Sequence, residues 1–294
     1  MATKKTTKQS SAPATSAPKK VEPVVRQDDG SIDLHITIPQ EKIKKTYEQV
    51  MEQVVSAAKV PGFRPGKAPR KVVEESTDPT KVKEEVLKQL VPELYIDAVQ
   101  ANNIKPIVNP RINIEKIDDD ADWEFTATTC EMPVVELGKY KDAVAKVTAK
   151  SKIAVPGKEQ EKPNLDDIVK TVMENVKVTI PQILVDYEAD RLLSQTLDEI
   201  KRLGLTLDQY LASTNKSPED LRKDYEQKAI NDMTVEFTLA QIADSEKLSV
   251  DPKEIDEAIQ KAKDPQERAH MESNRYLLAS ILRQQKTLDF LQNL

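Results

Sequence analysis

The sequence predicts an α+β domain followed by an all-α domain, and three observations lead to this fold class. Residues 29–147 change between strand-like and helix-like patterns, residues 148–164 are polar and contain two prolines, and residues 165–294 form a series of amphipathic helical segments. The length of 294 residues is sufficient for about two domains. Residues 1–28 carry Lys, Thr, Ser, Ala and Pro with few large apolar side chains, so we expect a disordered basic tail.

The α+β domain is predicted from the change of period along the chain. In the stretch SIDLHITIP, apolar residues alternate with polar ones, which indicates a half-buried strand with His35 on its solvent face. From Pro39 the spacing is helical, and this helix ends before Pro61. A short helix after Pro69 and a longer one over Pro79–Asn102 follow. Three strand candidates then complete a mostly antiparallel sheet: RINIEKI, DWEFTATTCEM and the run around VVELGKYKDAVAKV.

The second domain is predicted to be helical throughout. Ser217 and Asp251 each stand directly before a proline, which is the pattern of a capping side chain followed by proline at the first helical position. The helix candidates are Leu165–Val176, Gln182–Leu203, Leu207–Ser213, Pro218–Leu248, Pro252–Lys263 and Pro265–Asn293.

The composition excludes several functional classes. With a net charge of −6, DNA binding over the whole surface is disfavoured, although local basic patches remain open. No apolar run approaches the roughly 18 residues of a membrane helix, and the N-terminus has no apolar segment of a secretory signal. Cys130 is the only cysteine, which is consistent with a reducing compartment. We therefore expect a cytoplasmic protein. His35 and His270, far apart in sequence, do not suggest a metal site.

The stretch VPGFRPGKAPRKV differs from the rest of this glycine-poor chain. Three prolines fix φ and two glycines permit backbone angles that other residues avoid, so the stretch predicts a rigid turn between two helices. An aromatic side chain and four cations lie on it: Phe63, Arg64, Lys67, Arg70 and Lys71. Phe and Arg are common anchors at protein interfaces, and clustered cations suit phosphate. The residues alone leave open a second interpretation, in which Phe63 packs back onto its own helices and the cations are merely solvated.

GFRPGKAP resembles the Gly-Phe-Arg-x-Gly-x-x-Pro signature of the trigger factors, a family of bacterial ribosome-associated chaperones. The resemblance implies that residues 29–147 form a ribosome-binding domain whose loop docks on the large subunit beside the peptide exit tunnel. Some relatives have Lys where this chain has Pro65, which leaves more of the electrostatics to the cations that follow. The docking residues that the resemblance implies are Gly62, Phe63, Arg64, Gly66, Lys67, Pro69, Arg70 and Lys71.

The C-terminal helices, beginning with TIPQILVDYEADRLLSQ, are similar to the SurA-like helical chaperone domain of the same family. The resemblance implies binding of unfolded nascent chains without ATP, and homodimers of the free protein are known in the family. The chain has no Gly-x-x-x-x-Gly-Lys-Ser/Thr loop, and we expect no cofactor. Candidate adaptable client contacts are Met173, Met233 and Met271. For each methionine, the alternative is that it fills its own core.

Full-length members of the family carry an FKBP-like prolyl isomerase domain between these two regions. Here about 35 residues separate Lys146 from Pro181, none of them aromatic, which is too little chain for an additional domain. We therefore expect no prolyl isomerase activity, and no catalytic residue. Four alternatives to a ribosome-bound chaperone remain: an RNA-binding ribosome-assembly factor, a free cytoplasmic holdase, an enzyme, whose candidate carboxylates at 118–120 and 166–167 have no neighbouring His, Cys or Gly-rich loop, and a periplasmic SurA-type chaperone. The missing secretory signal and the loop both argue against the last.

Overall fold

The computed structural model describes residues 23–58, 61, 63–64, 67–151 and 164–294. Most of the predicted tail, Gly62, Gly66 and most of the predicted linker lie outside the described residues. The expected fold class is confirmed, because a small antiparallel sheet with three helices is followed by a region of helices.

The sheet has four antiparallel strands in the order β1-β2-β4-β3. The strands are β1 (Val24–Arg26), β2 (Ser31–Ile38), β3 (Arg111–Lys116) and β4 (Trp123–Cys130). The register places Leu34 of β2 opposite Ala127 of β4, and Ile36 opposite Phe125. Because side chains at alternate positions share one face of a sheet, these four side chains point to the same side, where Leu34, Ala127 and Phe125 are buried.

Three helices accompany this sheet: α1 (Gln40–Ala57), α2 (Arg70–Ser76) and α3 (Pro79–Ala101). Val50 and Met51 of α1, together with Val86 and Leu90 of α3, belong to the same buried apolar cluster as Phe125. The helical spacing predicted for α1 and α3 is therefore confirmed, and it is this spacing that places their apolar faces against the sheet.

Two predictions about the limits of the α+β domain were wrong. The predicted tail reaches to residue 28, whereas Val24–Arg26 forms β1, because Val24 contributes to the core cluster and pairs with Leu34. The run VVELGKYKDAVAKV is not a strand of the sheet. Only Val135–Glu136 is extended (β5), and Tyr140–Ser151 is a helix (α4) that also extends into the predicted linker. Buried Tyr140 and Val144 stand four residues apart, a helical period that the strand interpretation overlooked.

The remaining elements are β6 (Lys177–Val178), paired with β5, and seven helices among the described residues. The helices are α5 (Leu165–Asn175), α6 (Gln182–Arg202), α7 (Leu207–Thr214), α8 (Pro218–Ser245), α9 (Pro252–Lys261), α10 (Pro265–Ser273) and α11 (Arg275–Asn293). Helix α4 joins them, because Tyr140 and Val144 share a cluster with buried residues of α5, α8 and α11.

The capping predictions for this region were confirmed, and one helix boundary was missed. Ser217 and Asp251 each form a capping box at the start of α8 and α9. The predicted helix over 265–293 is interrupted at Asn274, whose φ of −117° and ψ of 35° are not helical. The side-chain amide of Asn274 donates to the carbonyl oxygen of His270, so that this residue ends α10.

The sheet and the helical region pack directly against each other. Buried Cys130, at the end of β4, lies in a cluster with residues of α6 and α8, namely Ile183, Leu184, Val185, Leu192, Ala229 and Met233. Polar contacts surround this cluster. Arg111 of β3 forms an ion pair with Asp186 of α6 (2.7 Å), and the Tyr187 hydroxyl donates to the carbonyl oxygen of Asn109 (3.1 Å). No helix in the described ranges is sufficiently long and apolar to cross a membrane.

Candidate functional site

The loop between α1 and α2 is the candidate site. Helix α1 ends at Ala57, and α2 begins after Pro69, whose backbone is extended and which contributes no side-chain cap. The backbone N–H of Lys67 donates to the carbonyl oxygen of Arg64 (2.9 Å), as expected where Pro-Gly stands between the two residues. Ala68 is buried, so the C-terminal side of the loop is held against the protein while its other described side chains project outward.

Phe63 is 44% exposed and is not part of any apolar cluster of the described residues. The arrangement favours the docking interpretation over the one in which Phe63 packs back onto its helices. Arg64, Lys67 and Lys71 are exposed as well, and within the described part of the chain they make no ion pair. One accessible aromatic ring and three unneutralised cations therefore lie together. Such a surface can contact phosphate or carboxylate groups without first losing an internal partner.

Arg70, which was expected among the contacting cations, is instead already bound. Its Nη1 and Nη2 donate to the two carboxylate oxygens of Glu48 on α1 (2.6 and 3.0 Å), and its Nε donates to Glu74 on α2 (2.6 Å). The hydrogen bonds to Glu48 and Glu74 raise the pKa of Arg70 above its usual range, and the same guanidinium lowers the pKa of Glu48. Three N–H groups of the Arg70 guanidinium are therefore already bonded to two carboxylates of its own chain.

The structure distinguishes among the three candidate client methionines. Met233 is buried, at 9% exposure, and packs into the cluster between sheet and helices, which favours its alternative role in the core over client contact. Met173 and Met271 are half-buried and stay candidates.

Sequence reasoning missed the apolar residues that are in fact exposed. Leu203 and Leu205 lie between α6 and α7, and Leu207 is the first residue of α7. The exposed fractions reach 75% at Leu203 and 91% at Tyr276 on α11. The signal for the first group was available, since LGLTL places three leucines around a glycine at a helix end. Among the described residues of the helical region, the large apolar side chains that are exposed are Leu165, Tyr187, Leu203, Leu205, Leu207, Tyr276, Leu277 and Ile281.

A groove of about 690 Å³ lies beside the contact between sheet and helices. Met132 and Val134 line it and are 63% and 81% exposed, with Arg26 and Lys177 also at its wall. Among the residues that the structure describes, no group of three or more His, Cys, Asp and Glu side chains is placed to hold a metal ion.

Comparison with known proteins gives two family models. The model described as bacterial trigger factor protein (TF) matches residues 22–164, and the model described as bacterial trigger factor protein (TF) C-terminus matches residues 150–293. Taken together, the two matches extend over nearly the whole chain.

Curated trigger factors are similar to the chain over a shorter range. The trigger factor of Natranaerobius thermophilus is 35% identical over 114 residues, which are 39% of this chain and 26% of that protein. The trigger factor of Staphylococcus epidermidis is 36% identical over 108 residues, or 37% of this chain and 25% of that protein. The chain thus matches about a quarter of the length of these relatives. A solved structure concerned with promiscuous substrate recognition by the trigger factor chaperone has the same fold, with a TM-score of 0.62 at 13% identity over 92% of this chain and 99% of that chain.

Proposed function

The chain belongs to the trigger factor family, and from this premise we propose that it is an ATP-independent chaperone that docks on the large ribosomal subunit and binds nascent polypeptides there. The observation that carries the proposal is the loop between α1 and α2, which presents exposed Phe63 beside unpaired Arg64, Lys67 and Lys71. Gly62, Gly66 and Pro69, which complete the family signature, would shape this loop.

The chemistry of the loop suits the mouth of a ribosomal tunnel, where protein and RNA surfaces meet. Phe63 supplies an apolar anchor for a protein pocket, and the three cations supply contacts for RNA phosphate. The prolines reduce the conformational entropy that the loop loses on docking. The apolar contribution to ribosome affinity should therefore come from Phe63 alone, and the salt-dependent contribution should be shared among the three cations.

The exposed apolar side chains of the helical region support the second half of the proposal. Tyr276, Leu277 and Ile281 lie on the first half of α11 and are each more than half exposed, an arrangement that is unusual unless such a surface binds something. Contacts of this kind are individually weak. Spread over separate patches, they would hold unfolded segments of varied sequence and release them readily.

We further propose that the chain does not act as a prolyl isomerase. Helix α4 ends at Ser151 and helix α5 begins at Leu165. A domain that folds by itself has about 50 residues or more, and the interval between these helices is much shorter. A model proline peptide whose cis–trans exchange is accelerated by the purified protein would contradict this proposal.

Cosedimentation with bacterial ribosomes tests the docking half. At near-physiological salt we expect the wild type to sediment with the large subunit and Phe63→Ala/Arg64→Ala to remain in the supernatant. The matched control is Arg275→Ala/Tyr276→Ala, which also removes an exposed aromatic and an adjacent arginine, but from α11. We expect it to bind ribosomes as the wild type does.

The other outcomes of this experiment distinguish the remaining functions. Equal binding of the wild type and the Phe63→Ala/Arg64→Ala variant would refute loop docking and favour an RNA-binding assembly factor, which should also bind naked ribosomal RNA with steep salt dependence. Absence of binding by the wild type would leave a free holdase. The chaperone activity itself is tested by light scattering of a diluted, denatured client, and a protein that never delays the rise in scattering would refute it.

A further inference from the structure

Arg70 differs from the other cations of the loop in having three hydrogen bonds to carboxylates of its own chain. Its two partners stand on different helices. Glu48 lies on α1, 22 residues before Arg70, and Glu74 lies one turn further along α2. The docking loop is the segment between these helices, so the guanidinium connects the two ends of the loop.

We propose that Arg70 is a positioning residue, which holds α1 and α2 in the arrangement that presents Phe63 and Arg64, and that it does not itself contact the ribosome. This inference rests on the proposed docking function and makes it more specific. Under this proposal, Arg64, Lys67 and Lys71 bind the ribosome, and Arg70 fixes the relative position of α1 and α2.

The geometry favours this role for two reasons. A bidentate pair between guanidinium and carboxylate is directional, so it fixes the relative position of two helices more firmly than a single contact does. In addition, three of the five N–H groups of this guanidinium already donate to Glu48 and Glu74, so two carboxylates balance its charge before any anion of the ribosome approaches. Lys71, the next residue, is exposed and makes no ion pair in the described part of the chain, and it offers a free cation at almost the same place.

Arg222 provides a matched control elsewhere in the chain. Its Nη1 donates to Asp190 on α6 and its Nε to Glu226 one turn further along α8, both at 3.0 Å. Its side chain is 44% exposed, as is that of Arg70. Arg222→Ala therefore also removes an arginine that joins two helices, here through a single bond to Asp190, and these helices do not bracket the loop.

Hydrogen exchange in the free protein tests the positioning role without the ribosome. The amide of Lys67, bonded to Arg64, and the amide of Val72, bonded to Pro69, report the order of the loop and of the start of α2. We expect Arg70→Ala to accelerate exchange over residues 61–73 by about twofold to fivefold, the scale of an exposed ion pair, and Arg222→Ala to leave it unchanged. Unaltered exchange in Arg70→Ala, with helix content equal to the wild type, would overturn the proposal.

The swapped pair Glu48→Arg/Arg70→Glu then separates position from charge. It restores a link between the helices while removing the cation at position 70. We expect the swapped pair to recover both the slow exchange and the ribosome affinity that Arg70→Ala and Arg70→Glu lose.

The salt dependence of ribosome binding adds a readout that distinguishes contact from positioning. Losing a phosphate contact lowers the slope of log affinity against log salt by about 0.7 to 0.9. We expect this change in Lys71→Ala but not in Arg70→Ala. A lowered slope in Arg70→Ala, or a swapped pair that regains slow exchange but not affinity, would show that Arg70 contacts the partner. If the wild type itself does not bind ribosomes, the proposed docking fails while the exchange experiment still decides the positioning role.

Discussion

Replacing Asp29 with alanine should loosen the contact between the sheet and the helical region. Helix α6 begins after Pro181, which has no side chain able to cap it. The missing cap comes from the turn between β1 and β2, where Oδ2 of Asp29 accepts from the backbone N–H of Gln182 (2.9 Å). The same carboxylate accepts from the backbone N–H and the hydroxyl of Ser31, each at 2.9 Å. One side chain thus caps a helix that lies 153 positions further along the chain.

The expected cost follows from these contacts. Loss of a capping side chain costs about 1 kcal/mol, within a range of about 0.5 to 2, and the bonds to Ser31 each contribute about 0.5 to 1.5 kcal/mol net. Since these two bonds join near neighbours and are partly replaced by water, we expect Asp29→Ala to lower the free energy of unfolding by about 2 kcal/mol.

Urea unfolding at pH 7 measures this change, and Asp264→Ala serves as the control. Asp264 caps α10 through the N–H of Gln266 (2.9 Å), so its loss should cost about 1 kcal/mol without affecting the contact between sheet and helices. Hydrogen exchange at the start of α6 should rise in Asp29→Ala and not in Asp264→Ala. A loss no greater than that of Asp264→Ala, with unaltered exchange at Gln182, would refute the reasoning.

The pH dependence provides an independent check on the charge of Asp29. Burial raises the pKa of this carboxyl, but the N–H groups of Gln182 and Ser31 outweigh it, and the pKa lies below its ordinary value of 3.8. A group whose pKa is lowered on folding stabilises the protein above its unfolded value and loses this effect as pH falls through the folded value. The difference in stability between the wild type and Asp29→Asn should therefore be constant near neutral pH and shrink below about pH 4. A difference that grew on acidification would contradict this assignment.

Three further predictions concern other parts of the chain. Gly138→Ala should lower the thermal midpoint far more than Gly204→Ala. Both glycines have positive φ, but a Cβ at 138 would collide with a backbone carbonyl oxygen at the end of α5, whereas a Cβ at 204 meets open space. Equal losses in the two variants would contradict this prediction. Burial raises the pKa of the Cys130 thiol to about 11, so a thiol reagent at pH 8 should react only after urea unfolding, and prompt reaction of the folded protein would show that the thiol is accessible. Tyr276→Ser/Ile281→Ser should reduce the delay of client aggregation at least twofold. Because both side chains are more than half exposed, the unfolding midpoint and ribosome binding should stay unchanged. Unchanged light scattering would exclude this face as a client contact.

Periodicity predicted the elements whose apolar residues face a single core, and it failed where that condition does not hold. The strand alternation of Ile32–Ile38 and the spacing of α1 were sufficient, because both elements bury one face against the same cluster. The segment after Glu136 was misassigned because the strand interpretation overlooked the four-residue spacing of Tyr140 and Val144, which places one face of α4 against α5 and α11. Ile96 of α3 is 51% exposed, although Tyr95 and Val99 beside it pack against the core cluster, so it lies on a face of the helix that the core does not cover.

The candidate site shows a related limit of sequence reasoning. The sequence alone does not distinguish among the four cations of the loop. Only the pair Arg70 and Glu74 could be recognised from the sequence, by its spacing of four residues along a helix. The partner that matters for the loop, Glu48, lies on the preceding helix and becomes a neighbour only when α1 and α2 fold together. Which cations are free to bind a partner is therefore a property of the tertiary structure. Because an engaged arginine offers rigidity and a free one offers binding, the loop needs both kinds, and its single exposed aromatic side chain can be presented reproducibly only if the helices on either side are fixed.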